Sequence, residues 1–183
     1  MDRKQLLEKI IAREAAMFIA VKASEPADCQ EMLKTFYLMR EMSHSVLAAD
    51  TLTSYLQDLE TAAAAGRNLM TEKYARMENL IPSLNENELI YKIVDLEREW
   101  LSEVHKKYPL TIAVEGGFTT YAVCELETYS DATLNLYYRD IFLAATQKRN
   151  LVEERYQYLY GNLGFKDLEE VEALAQKRAA VKE

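Results

Sequence analysis

The chain has 183 residues, of which 49% are hydrophobic and 28% charged, with only 5 Gly and 3 Pro. A chain of this size and balance buries a sizeable core and folds as a globular protein. The net charge of -8 argues against nucleic acid as a partner, because phosphate affinity comes largely from clustered Lys and Arg. No stretch approaches the roughly 20 apolar residues of a membrane helix, and "MDRKQLLEKI" lacks the apolar centre of a signal peptide, so a cytoplasmic protein is expected. Cys29 and Cys124 lie far apart without metal-ligand spacing and read as two reduced thiols.

Runs of Ala, Leu, Glu, Lys, Gln and Met predict helices, and no alternating pattern predicts a strand. Helix one is expected from about Asp2 to Lys22. A Pro-containing loop, "ASEPAD" from Ala23, leads to helix two at roughly Cys29 to Ala48. Helix three opens at "ADTL", where Asp50 can cap it, and runs some 28 residues with at most a bend at Gly66, because Lys148 holds the matching place further on. The same plan then recurs, with helices from Glu86 to Lys107, from Gly117 to Tyr129, and from "SDATL" onwards, where Ser130 can cap. A last amphipathic helix covers about Asp167 to Lys182.

This recurrence is written in the residues. Shifting the chain by 82 positions lays Thr51–Met77 on Thr133–Leu159 with 11 of 27 pairs identical, where chance gives about two. The pairs include Tyr55/Tyr137, Asp58/Asp140, Arg67/Arg149, Asn68/Asn150 and Glu72/Glu154. One further residue of shift lays Lys9, Ile10, Glu14 and Val21 on Lys92, Ile93, Glu97 and Val104. The expectation is an all-α, single-domain helical bundle: a tandem duplication of a three-helix unit, repeats about 1–82 and 83–165, and a C-terminal helix at about 166–183. A fused ancestral dimer of this kind carries a pseudo-two-fold axis.

"AMFIAVKASEPADCQEMLKTFYLMR" followed by "SYLQDLETAAAAGRNLMTEKYARME" resembles a bacterial family catalogued as domain of unknown function 4125. The resemblance covers most of the chain and implies no particular activity. Some relatives carry a nucleotidyltransferase-like domain on the same chain, which implies an accessory role. Relatives usually place Trp where this chain has Ala15, and do not usually have a His at the position of His44.

Helical projection puts Glu14 at the centre of an apolar stripe of Leu6, Ile10, Ile11, Met17 and Phe18, and Glu97 among Ile90, Ile93, Val94 and Leu101. Arg40 is ringed by Leu33, Phe36 and Leu47, and Glu125 by Phe118, Ala122 and Tyr129. A lone buried charge is severely unfavourable, so these four are expected to meet in one cluster. In one reading Arg40 bridges the glutamates and Tyr74, Tyr129 and Tyr156 donate hydroxyls. Three acids against one base then require a protonated Glu or an added cation. In the other reading a divalent metal is held by Glu14 and Glu97 with the Glu-x-x-His pair Glu41–His44, as in carboxylate-bridged bundles; the second copy lacks the His. A helical ribonuclease built on Arg98 and His105 is a weaker option, opposed by the net charge. The charged faces of helix three read as solvated surface. The function class expected is therefore a non-enzymatic accessory module with a protein partner, and the alternative is a metal- or small-ligand-binding bundle. No membrane and no nucleic acid are expected as partners.

Overall fold

The computed structural model describes residues 2–21, 29–114 and 116–181. The loop expected at Ala23 lies outside them, as do Lys22, Lys182 and the side chain of Cys29. The described residues form helices α1 (Arg3–Ile19), α2 (Cys29–His44), α3 (Ala49–Ala64), α4 (Leu69–Met77), α5 (Leu89–Lys107), α6 (Phe118–Leu126), α7 (Asp131–Thr146), α8 (Leu151–Asn162) and α9 (Leu168–Ala180). No strand appears among the described residues, so the fold is all-α.

Each long third helix is in fact two. The break falls at Gly66 and at Lys148, which both adopt left-handed backbone (φ 69° and 57°). Arg67 N donates to Ala62 O at 2.8 Å and Gly66 N to Ala63 O at 3.1 Å; Arg149 N and Lys148 N make the same bonds to Ala144 O and Ala145 O. These reversed bonds satisfy the last carbonyls and stop the helix. Asn68 and Asn150 then cap the next helix: Asn68 Oδ1 accepts from Met70 N and Thr71 N, and Asn150 Oδ1 from Glu153 N. Their amide groups donate to Met17 O (2.8 Å) and Trp100 O (3.1 Å), fastening the corner to the first helix of each half. Arg67 clasps Glu72 through two bonds, as Arg149 clasps Glu154. The repeated "RNL" line is thus a duplicated corner. The assumption that Lys148 continues the helix fails because the stop is made by backbone bonds that a Lys can also accept, at a cost.

That cost is measurable. Lys148→Gly should stabilise the fold by about 1 kcal/mol, because a side chain at positive φ is strained and Gly is not. Gly66→Ala should lose a similar amount, since a Cβ there would meet nothing within 4 Å and only the backbone strain counts. Urea denaturation of both variants checks the pair of opposite signs.

The repeating unit therefore has four helices and not three. Within each half the first helix packs on the other three: α1 on α2, α3 and α4, and α5 on α6, α7 and α8. Between halves α3 packs on α7, α2 on α8 and α4 on α6. The repeat pairs Leu52/Leu134, Leu59/Ile141 and Leu69/Leu151 are all buried in one core. Ser130 caps α7 through Thr133 N, but α3, whose N-cap residue is Ala48, has no side-chain cap. Asp140 of α7 takes over instead, accepting from Ala48 N (2.9 Å) and Thr51 Oγ1 (2.6 Å). Asp58 of α3 returns the bond by accepting from Ser130 N at 3.0 Å. Each half thus stabilises the start of the other half's third helix. Finally α9 packs on α8, and its buried Glu172 accepts from Leu110 N and Thr111 Oγ1.

Candidate functional site

The seam between the halves gathers the buried charges. Glu14, on the apolar face of α1, is fully buried (0% exposed) and lies opposite Arg40 of α2 (3%). Arg40 Nε donates to Glu14 Oε2 at 3.0 Å and Nη2 to Oε1 at 2.6 Å. The other edge of the same guanidinium reaches Glu125 of α6: Nη1 to Oε2 at 3.0 Å and Nη2 to Oε1 at 2.8 Å. One planar fork therefore joins a carboxylate from each half, the use for which Arg is suited and Lys is not. His44 Nε2 lies 3.1–3.2 Å from the two Glu14 oxygens and 3.3 Å from Arg40 Nη2. Tyr55 OH donates to Glu14 Oε1 at 2.7 Å, and Tyr129 OH to Glu125 Oε1 at 3.3 Å.

Glu97 is not in this cluster. It pairs with Arg155 of α8, whose Nη2 donates to Glu97 Oε1 and to Tyr137 OH, both at 2.7 Å, while Tyr137 OH donates to Glu97 Oε1 at 2.9 Å. The two groups are linked through ring contacts, Tyr55 to Tyr129 tilted at 4.4 Å and Tyr129 to Tyr137 edge-on at 6.3 Å between centroids. The single cluster expected for Glu14, Arg40, Glu97 and Glu125 is thus two, because Glu97 finds a cation of its own half nearer than Arg40.

The charge count changes for the same reason. Lys73 of α4 is 1% exposed and donates to Glu125 Oε2 at 3.2 Å and Tyr121 OH at 3.0 Å. With Arg155, it brings the bases to three against Glu14, Glu97 and Glu125. No protonated Glu and no added cation is then required. Lys73 and Arg155 are the same repeat position, as are Tyr55 and Tyr137, and the two cations lie on the charged faces of helix three that were expected to be solvated. Tyr74 supplies its ring, 5.0 Å from Lys73 Nζ, and Tyr156 packs partly buried against the core. The hydroxyls on Glu14 and Glu97 belong to Tyr55 and Tyr137 instead.

Electrostatics follow the geometry. Burial would raise the Glu14 pKa, but Arg40 and His44 outweigh it and hold the carboxyl at about 2. Burial would raise Glu125 too, but Arg40 and Lys73 drive it well below the usual carboxylate range. Burial, reinforced by the neighbouring carboxylates, pushes Tyr55, Tyr129 and Tyr137 upward, so their hydroxyls remain protonated donors.

A divalent metal does not fit these residues. A guanidinium already stands between Glu14 and Glu125, and the Glu-x-x-His pair is split: His44 faces Glu14, whereas Glu41 Oε1 accepts from Tyr158 OH at 2.6 Å. Among the described residues no group of three or more His, Cys, Asp or Glu is arranged to hold a metal ion. Arg98 and His105 do not converge either. Arg98 pairs with Asp95 on the surface, and His105 Nδ1 lies 2.6 Å from Ile112 O, tying the end of α5 to the following loop. Cys124 is a buried free thiol. No helix among the described residues is long and apolar enough to cross a membrane.

No curated protein and no solved structure matches the chain. A family model does match, over residues 4–173, nearly the whole length of the paired halves and the start of α9. The chain belongs to the family described as protein of unknown function, DUF4125.

Proposed function

We propose that this protein is a non-enzymatic, cytoplasmic accessory module whose partner is another protein. The observation that carries the reading is the sequestration of its titratable groups. Glu14, Arg40, His44, Tyr55, Lys73 and Glu97 are each at most 5% exposed, and each is engaged by other buried side chains. A catalytic group must touch substrate, and perturbed groups in a cleft are the usual sign of one; here the shifted carboxylates Glu14 and Glu125 face Arg40 inside the seam. Such an arrangement suits a rigid body whose surface is held in one shape. Large apolar side chains stand on that surface at Tyr91, Phe142 and Leu163, and the repeat counterparts of Phe142 and Leu143 are Glu60 and Thr61.

The test is photo-crosslinking in the source cell, with a photoreactive residue placed singly at 91, 142 and 163. A discrete adduct with one protein, made at one of these positions and not at exposed Glu60, is expected. Absence of any discrete adduct at natural expression level would overturn the reading. Metal analysis of protein purified without a chelating column should find well below one equivalent of any transition metal.

A further inference from the structure

Two exposed surfaces of the chain have opposite charge and the same apolar character. The first is the tip of α9, a helix fastened only at its beginning. Leu168 is fully buried, and Glu172 accepts from Leu110 N at 3.2 Å and Thr111 Oγ1 at 2.7 Å. Beyond Ala175 every described residue of the helix is exposed. Leu174, Lys177, Arg178 and Val181 follow the i, i+3, i+4, i+7 spacing of one helical face and border one open surface depression. Val181 is 86% exposed, and neither Lys177 nor Arg178 has an ionic partner among the described residues. Residues 173–181 hold no acid, although the net charge of the chain is -8. The helix dipole favours bases in a last turn, but it gives no reason for Leu174 and Val181 to stand beside them in water.

The second surface is the segment that joins the halves. Residues 78–88 hold Glu78, Glu86 and Glu88 and no base. All three acids are exposed, as are Leu80 (70%) and Leu84. The segment is held in one shape: Arg76 Nη1 donates to Ile81 O at 3.1 Å, Leu84 N donates to the Glu127 carboxylate that Arg76 binds, and Asn85 Nδ2 donates to Tyr129 O. Its leucines are not a relic of the duplication, since the same positions after α8 are Asn162 and Lys166. An exposed apolar patch rimmed by polar residues marks a docking surface.

We propose that these two surfaces bind each other between copies of the chain: the α9 tip of one copy docks on the joining segment of a second. Leu174 and Val181 would cover Leu80 and Leu84, with Lys177 and Arg178 against Glu78 and Glu86, as an amphipathic helix lies on a complementary surface. Neither surface suits itself, because tip on tip sets base against base and segment on segment sets acid against acid. Nor do they meet within one copy. The segment leads into Leu89, the first residue of α5, whereas α9 is fastened just past Lys107, the last. The 19 residues of α5 separate those ends by about 28 Å, and the tip extends only about 14 Å beyond Glu172. Used reciprocally the contact closes a dimer; used once per copy it builds a chain. Its small area makes the association weak and sensitive to salt.

Sedimentation equilibrium of the full chain, at loadings from about 10 μM to about 500 μM, tests the proposal. The weight-average mass is expected to climb above that of the monomer, and to climb less in about 500 mM NaCl than in about 50 mM. A tip variant (Lys177→Glu with Arg178→Glu) and a segment variant (Glu78→Lys with Glu86→Lys) should each stay monomeric at the highest loading. Mixed in equal amounts they should associate again, because the basic tip of one finds the acidic segment of the other. All four positions are exposed, so both variants should keep the wild-type circular dichroism. A wild type that stays monomeric throughout, a variant that associates as the wild type does, or a mixture that remains monomeric would each overturn the proposal. A monomeric wild type whose binding to phosphatidylglycerol vesicles is lost in the tip variant alone would assign the tip to a membrane surface instead. The accessory reading is tested separately: self-association can fail while an adduct with a different protein still forms at 142 or 163.

Discussion

Arg40→Ala is expected to destabilise the fold by about 3–5 kcal/mol, the cost of stranding buried carboxylates without their partner. Glu14 would retain Tyr55 and His44, and Glu125 would retain Lys73 and Tyr129, but the fork that joins the halves would be gone. The effect should depend on pH in a defined direction. In the wild type the folded pKa of Glu14 is depressed from 4.5 to about 2, so its contribution is fully present above pH 4.5 and is lost as pH falls through 2. That depression corresponds to about 3 kcal/mol at roughly 1.4 kcal/mol per unit. Without Arg40, burial becomes the dominant influence and raises the folded pKa of Glu14. The variant should then gain stability on acidification through pH 5, where the wild type does not. Urea denaturation at pH 7, 5 and 4 measures both, and a variant whose deficit is unchanged or grows towards pH 4 would contradict the assignment.

The second large effect lies at Glu97 and Arg155. Removing either side chain alone should cost about 3–5 kcal/mol, because the remaining charge stays buried without its ionic partner, bonded to the neutral Tyr137 hydroxyl. Replacing both, as Glu97→Leu with Arg155→Leu, should return stability to within about 1 kcal/mol of the wild type, since an isolated buried pair contributes little net of its desolvation. The strongly non-additive cycle is the expected signature. Additive single-variant losses would show that the two side chains act separately. The cluster around Arg40 should not be replaceable in this way, because its carboxylates and cations come from four helices of both halves, and no two-residue change removes them all.

Much of this was legible in the amino-acid sequence. Helical periodicity determined the all-α class, and the 82-residue register exposed the repeat because duplicated packing preserves the same side chains. Projection also determined that Glu14, Arg40, Glu97 and Glu125 turn inward, since a residue at the centre of an apolar stripe has nowhere else to go. Lys73 and Arg155 escaped because the charged face of helix three was read as solvated surface. Each lies 18 residues, about five helical turns at roughly 100° per residue, beyond the buried Tyr55 or Tyr137, so even one continuous helix places it on the buried face. What the continuous helix missed was the stop at Gly66 and Lys148, signalled by the Asn68/Asn150 pair, a capping residue inside an apparent helix. Which acid each cation meets was decided only by the tertiary structure. Glu125 reaches Lys73 because α6 of one half packs on α4 of the other, and Arg155 meets Glu97 because α8 lies on α5. Those pairings depend on how helices from distant parts of the chain bury their apolar faces together, and no spacing within a single helix encodes them.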